Sequence, residues 1–163
     1  MIHVKKTLVF TAFILFLSSS LRLEGATLNE KRLAPDFSLQ DLNKNTVTLS
    51  AYRDKNAVIL FFWTTWCPYC RSELKQLNQL YPTLLNQGIE LFAVDVAEFS
   101  YRVENFVERY NLSLRVLLDK DAAVAEAFSV LGVPTYVILN KKGEIVFEGN
   151  YFPQRQYNEI IAR

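Results

Sequence analysis

The segment Ala57-Val58-Ile59-Leu60-Phe61-Phe62 is apolar at every position. A strand with one face in water alternates apolar and polar residues, so an unbroken run of this length belongs to a strand covered on both faces. Three more runs read the same way: Ile89 to Val94, Val116 to Leu118 and Tyr136 to Leu139. Between them the apolar residues fall at helical spacing, with Leu74, Leu77, Leu80, Tyr81 and Leu84 on one stripe and Val103, Phe106, Val107 and Tyr110 on another. Buried strands alternating with amphipathic helices predict an α/β domain, a central sheet flanked by helices. Tyr136 to Leu139 and Ile145 to Phe147 flank Asn140-Lys141-Lys142-Gly143, a turn signal that makes the last two strands a hairpin. A final helix is expected from about Gln154 to Ala162.

The chain's two cysteines follow the first of these strands, in Trp66-Cys67-Pro68-Tyr69-Cys70-Arg71. At i and i+3 on a helix they share a face, so their sulfurs can close a small ring and reopen it with little backbone movement. Pro68 suits a first helical turn, where its missing N–H would have had no partner. The other N–H groups of that turn point toward Cys67 and favour its thiolate, as helix N-termini and Cys-x-x-Cys settings generally do. Cys67 is therefore the expected attacking sulfur, and Cys70, one turn deeper, the expected resolving one. A structural zinc site needs about four Cys or His ligands, and the one histidine is His3, far from the pair in sequence. Haem attachment requires a histidine after the second cysteine, where Arg71 stands. A purely structural bridge closing so short a loop stabilises little. The redox reading is the one left, with no cofactor beyond the Cys67–Cys70 pair.

Lys5-Lys6, the apolar run Leu8 to Leu17 and then Ser18-Ser19-Ser20 have the three zones of a signal peptide. Residues 1–20 are accordingly expected to be an export signal, or an N-terminal membrane anchor if uncleaved, although the run is short of the about 20 apolar residues a spanning helix needs. Residues 21–33 read as a polar lead-in and residues 34–163 as one domain of ordinary size. With 18 basic and 17 acidic residues the chain has no charge excess to attract nucleic acid, and no basic cluster stands out that would select an acidic client. The helix stripes are accounted for by the core, which points to a monomer.

A strand, a dithiol helix, and then Gly132-Val133-Pro134-Thr135 ahead of a strand and hairpin resemble the thioredoxin fold. The resemblance implies a cis bond before Pro134, which would lie against the dithiol, and a Val133 main chain free to pair with an extended client segment as an added strand. The surplus between Asp95 and Pro134 reads as one extra helix, Tyr101 to Tyr110, and one extra strand, Val116 to Leu118. Together with the opening Ala34-Pro35-Asp36-Phe37-Ser38-Leu39 and an N-terminal hairpin at Thr46-Val47-Thr48-Leu49, this is similar to the TlpA/ResA branch of AhpC/TSA-like redoxins. That branch implies an exported thiol-disulfide oxidoreductase, periplasmic or otherwise extracytoplasmic, often a reductant in cytochrome c maturation. It also implies a protein disulfide or dithiol client and re-reduction by a membrane thiol-electron donor of the CcdA or DsbD type. By the same resemblance Glu98, in Val94-Asp95-Val96-Ala97-Glu98, is a candidate proton relay beside Cys67 and Cys70. Trp66, Pro68 and Tyr69, with Val133, Pro134 and Thr135, are the expected client-binding residues, while Trp63, at the strand end, is expected to pack in the core.

Two positions depart from this pattern. Thioredoxins place a buried aspartate in the central strand where Phe61 stands here, so the proton of the deeper thiol must be handled elsewhere, with Glu98 the candidate. The Pro68-Tyr69 dipeptide resembles glutaredoxins and, in its proline, the oxidant DsbA, which makes a disulfide oxidase or isomerase the alternative. A peroxiredoxin is disfavoured because Leu60 occupies the place of that family's proline and Cys70 abuts Cys67. A Sco-like copper chaperone is disfavoured by the two-residue spacing and the lack of a distant histidine.

Overall fold

The computed structural model describes residues 32–162, so the expected signal or anchor at 1–20 and nearly all of the lead-in lie outside the described residues. The elements run β1 (Ser38–Asp41), β2 (Thr46–Thr48), β3 (Ala57–Trp63), α1 (Pro68–Asn86), β4 (Ile89–Val96), α2 (Ser100–Arg109), β5 (Arg115–Asp119), α3 (Ala123–Ala127), β6 (Thr135–Leu139), β7 (Ile145–Gly149) and α4 (Tyr157–Ile161). Seven strands form one sheet in the order β2-β1-β5-β4-β3-β6-β7. β3, β4 and β5 are mutually parallel, whereas β6 lies antiparallel to β3, β7 to β6 and β1 to β5. This is the mixed sheet, N-terminal hairpin and helix-strand insertion that the thioredoxin resemblance implies, with the inserted β5 standing between β1 and β4.

β3 is buried at all seven positions, which is why its sequence does not alternate. Its odd-numbered residues Ile59, Phe61 and Trp63 enter a core with Leu74, Leu77 and Leu84 of α1 and Val103 of α2. Its even-numbered residues Val58, Leu60 and Phe62 enter a second core with Val47, Leu49, Val124 and Phe128. Each such side chain contributes roughly 1.5–3 kcal/mol by leaving water, so β3 anchors both layers and fixes where its C-terminal end points. α1 continues through Pro82, because the fully buried Leu84 holds the turn beyond the missing hydrogen bond.

Two details differ from expectation. α4 starts at Tyr157 rather than about Gln154, because the chain closes turns around Pro153 first, with Gln154 N–H on the Phe152 carbonyl and Gln156 N–H on that of Pro153. α3 has no counterpart in the sequence reading. Its five residues are too few to show a stripe, and its first turn is held by the buried Asp119 carboxylate, which accepts from the Val124 and Ala125 N–H groups at 3.1 and 2.8 Å.

Candidate functional site

β3 and β4 end, and β6 begins, at one edge of the sheet, so the loops leaving them converge there. From Trp63 the chain passes through Thr64, Thr65 and Trp66 into α1, with Cys67 as its N-cap and Pro68 in its first turn. Cys67 and Cys70 are joined as a disulfide with Cα atoms 5.3 Å apart. The Cys70 N–H donates to Cys67 Sγ at 3.1 Å, and the same donor would stabilise a thiolate there once the bond opens. Cys70 is completely buried, whereas Cys67 keeps a 4% exposed edge. That difference fits an outer attacking sulfur and an inner resolving one.

The Val133–Pro134 bond is cis, as the resemblance implies. The Val133 carbonyl oxygen lies 3.9 Å from Cys67 Sγ. Pairing of β6 with β3 starts only at Phe62 with Thr135, so the main chain of Val133 stands outside the ladder beside the disulfide. The Thr135 hydroxyl donates to the Gly132 carbonyl at 2.7 Å and closes the loop on itself. Trp66 and Tyr69 are 65% and 78% exposed, Pro68 is exposed, and Trp63 is wholly buried. The structure thus brings Cys67, Cys70, Trp66, Pro68, Tyr69, Val133, Pro134 and Thr135 to one edge. Phe99 and Leu131, also exposed there, were not foreseen, since neither belongs to a periodic stripe.

Glu98 is buried near the same edge, and its contacts are to the loop rather than to either sulfur. One carboxylate oxygen accepts the Thr65 N–H at 2.5 Å and the other the Thr65 hydroxyl at 2.7 Å. Ala97 before it takes a left-handed φ of 58°, anchored by its N–H on the Asp119 carbonyl at 2.9 Å. A non-glycine residue pays roughly 1–2 kcal/mol for that conformation, and here it turns Glu98 onto the segment two residues ahead of Cys67. From the other side, Arg71 Nε donates to the Thr65 carbonyl at 2.9 Å, so Thr65 is held at its N–H, hydroxyl and carbonyl together.

Asp95 escaped the sequence reading because it lies just past the apolar run that defined β4. It pairs in register with Trp63 and shares the sheet face of Leu91, Ala93 and the dithiol helix. Burial, and then the neighbouring Glu98 carboxyl, push its pKa up to about 9, so Asp95 holds its proton at neutral pH. Its Oδ2 has no hydrogen-bond partner, nor has Trp63 Nε1 or Thr64 Oγ1. Buried polar atoms are ordinarily paired, so three unpaired ones where β3 and β4 end mark this as the least satisfied part of the interior. At Phe61, the position of the thioredoxin aspartate, the ring packs 4.7 Å from that of Tyr136. The Tyr136 hydroxyl donates to Glu73 at 2.6 Å, and burial followed by that carboxylate pushes its pKa far up. A carboxyl pair, Asp95 and Glu98, therefore stands one strand over from the position where the sequence lacked an acid. Among the described residues no group of three His, Cys, Asp or Glu could hold a metal ion, and no helix is long and apolar enough to cross a membrane.

The AhpC/TSA family matches residues 31–148. The thiol-disulfide oxidoreductase ResA of Geobacillus kaustophilus is 42% identical over 112 residues, 69% of this chain, and the match spans 64% of that relative's length. A putative thioredoxin from Neisseria meningitidis superposes with a TM-score of 0.70 at 31% identity, covering 82% of this chain and 90% of that one. A putative thiol:disulfide interchange protein DsbE from Chlorobium tepidum gives 0.72 at 23% identity, covering 83% and 97%. The shared fold is thioredoxin-like, and by the family match over most of its length the chain belongs to the AhpC/TSA family.

Proposed function

We propose that this protein is an exported thiol-disulfide oxidoreductase that reduces protein disulfides with the Cys67–Cys70 pair. One observation carries the exchange chemistry: the outer sulfur caps a helix and receives an N–H at 3.1 Å, while the inner sulfur is sealed from solvent one turn below; the reducing direction rests on the resemblance to the TlpA/ResA branch. In the reducing direction the Cys67 thiolate attacks one sulfur of a client disulfide, a mixed disulfide forms, and the displaced client thiolate takes up a proton. Cys70 then gives up its proton and attacks Cys67 Sγ, closing the intramolecular disulfide and releasing the second client thiolate. Two electrons pass to the client, and a membrane dithiol donor of the CcdA or DsbD type restores the pair. The exposed Trp66, Tyr69, Phe99 and Leu131 support an unfolded or extended polypeptide as client, and the resemblance to the TlpA/ResA branch makes an apocytochrome c the first to test. Export rests on the character of residues 1–20.

A second reading, a disulfide oxidase, is favoured by Pro68-Tyr69 and by the N–H donated to Cys67, since a more stable thiolate makes a stronger oxidant. The reduction potential separates the two. Equilibration against defined thiol buffers, read by tryptophan fluorescence, is expected to give a value near or below that of thioredoxin at about −270 mV; a value near that of DsbA at about −120 mV reverses the direction of electron flow. Cys70→Ser should trap the mixed disulfide with a client, and Cys67→Ser should abolish it. Rapid peroxide consumption by the reduced protein would instead make it a peroxidase.

A further inference from the structure

A groove runs between α1 and α2 away from the dithiol, in two continuous parts that share Arg71, Phe106 and Tyr110. The larger encloses about 460 Å³, with Leu74, Phe106 and Leu112 among its apolar lining. The smaller encloses about 230 Å³ and begins at Thr65, two residues ahead of Cys67. Arg71 and Lys75 reach the groove from α1, and Arg102 and Arg109 from α2. Among the described residues no carboxylate lines either part. The ion pairs formed among the described residues are Arg32 with Glu148 and Arg115 with Asp41, so none of the four cations is neutralised.

No basic cluster stands out in the sequence, and the fold assembles one here. Arg71 and Lys75 are one helical turn apart, as are Phe106 and Arg109, and only the packing of α2 alongside α1 brings the two helices' cations together. Arg71 is also poised to grip. It is held by the Thr65 carbonyl at 2.9 Å, with its guanidinium 5.9 Å from the centre of the Phe106 ring, so part of its rotamer entropy is already spent. Glu104 and Glu108 of α2 are exposed but outside the lining, which leaves the groove itself a single-sign field.

We propose that this groove is a docking site for an acidic, extended segment of the polypeptide client, next to the cysteine that pairs with Cys67. Carboxylates of that segment would meet Arg71, Arg102, Arg109 and Lys75, and its apolar side chains would sit on Phe106, Leu74 and Tyr110. A protein segment is favoured over an anionic membrane because the groove is concave, floored by apolar side chains, and opens at the loop carrying the attacking sulfur. The inference rests on the disulfide-reductase reading, for it makes the groove a specificity element of that reaction.

The test uses three model peptides, each with one disulfide and the same apolar core, flanked by glutamates, by lysines or by serines. The reduced protein should reduce the glutamate peptide with kcat/KM about 10-fold or more above the lysine peptide at low salt, the gap closing as salt rises. The double variant Arg102→Glu/Arg109→Glu leaves two cations against two anions in the groove and should abolish that preference while reducing the uncharged hydroxyethyl disulfide at the parental rate. Arg102→Gln/Arg109→Gln leaves Arg71 and Lys75 in place and should reduce it to an intermediate value. Equal rates for the three peptides, or a preference unchanged in the charge-reversed variant, would overturn the docking site. So would cosedimentation with phosphatidylglycerol vesicles that depends on Arg102 and Arg109 while the peptide preference is absent, since the groove would then face lipid. The reductase reading fails separately, by lack of reduction of every disulfide including hydroxyethyl disulfide. Anisotropy of a cysteine-free glutamate peptide reports docking even in that case, with weakened binding expected in both double variants.

Discussion

Two buried aspartates in this molecule live in opposite surroundings. Asp41, at the end of β1, accepts from Arg115 at 2.9 and 3.1 Å and from the main-chain N–H groups of Asn43 and Asn45 at 3.0 and 2.8 Å. Burial alone would raise its pKa, but the hydrogen bonds from Arg115 and Asn45 outweigh it and hold the carboxyl below the usual range. Asp95, at the end of β4, lies deeper, and burial first and the neighbouring Glu98 carboxyl after it drive its pKa up to about 9, with one of its oxygens left unpartnered. The first is an acid satisfied as a charge, in a hairpin remote in sequence from the dithiol. The second is kept neutral beneath the dithiol loop. Interiors ordinarily remove or pair such groups, so an acid left with one unpaired oxygen where β3 and β4 end is a candidate for function, while the satisfied one is architecture.

Breaking the architectural acid should cost the most. Asp41→Ala leaves Arg115 without its counter-ion, and because the Arg115 side chain is one third exposed the loss falls near or below the low end of the range for buried pairs, about 2–3 kcal/mol in urea unfolding at pH 7. Reduction of a small disulfide per folded molecule should not change. The stabilisation from Asp41 is present above the unfolded pKa of 3.8 and is lost as pH falls through the lower folded value, so the penalty should shrink toward zero in strong acid.

Asp95 should respond with the opposite sign. Between pH 3.8 and about 9 the unfolded chain has released the Asp95 proton while the folded protein retains it, so Asp95 lowers stability progressively as pH rises through that window. Asp95→Asn removes that term. It is expected to stabilise the protein by on the order of 1–3 kcal/mol at pH 8 and by much less near pH 4, with slower exchange if the proton serves Cys70. A variant that destabilises equally at both pH values would mean that Asp95 is ionised in the folded state, and the contrast with Asp41 would disappear.

What the sequence disclosed and withheld follows the same division. β3, β4 and β6 were legible because strands buried on both faces are written as continuous apolar runs, and the dithiol because its spacing and Pro68 place it on a helix N-terminus. The cis bond at Pro134 came through family resemblance, since nothing local in Gly132-Val133-Pro134-Thr135 demands it. α3 and the short turn of helix at Leu49–Tyr52 are too brief to carry a period. Asp95 and Thr65 are single polar residues whose meaning depends on Glu98, which reaches them across a loop. The basic groove is invisible for a related reason, because Arg71 and Lys75 meet Arg102 and Arg109 only through helix packing.

The smallest effect expected is also the most discriminating. Glu98→Gln keeps one side-chain acceptor for Thr65 and loses the other together with the charge, so the dithiol loop should loosen at a cost of about 1 kcal/mol. Its sharper consequence falls on Asp95. Burial is the first cause of that group's raised pKa and remains in the variant, while the smaller contributions of the Glu98 carboxyl are removed; the Asp119 charge persists. Titration of the Asp95 carboxyl carbon by NMR should therefore move its midpoint below 9 but leave it above the ordinary carboxylate range, and the loss of stability with rising pH should level off correspondingly earlier. A midpoint that stays at about 9 would show that burial alone keeps Asp95 neutral, which reduces Glu98 to a clamp on Thr65. A midpoint that falls makes Glu98 part of what keeps Asp95 protonated, and ties Asp95 through Thr65 to the loop that presents Cys67.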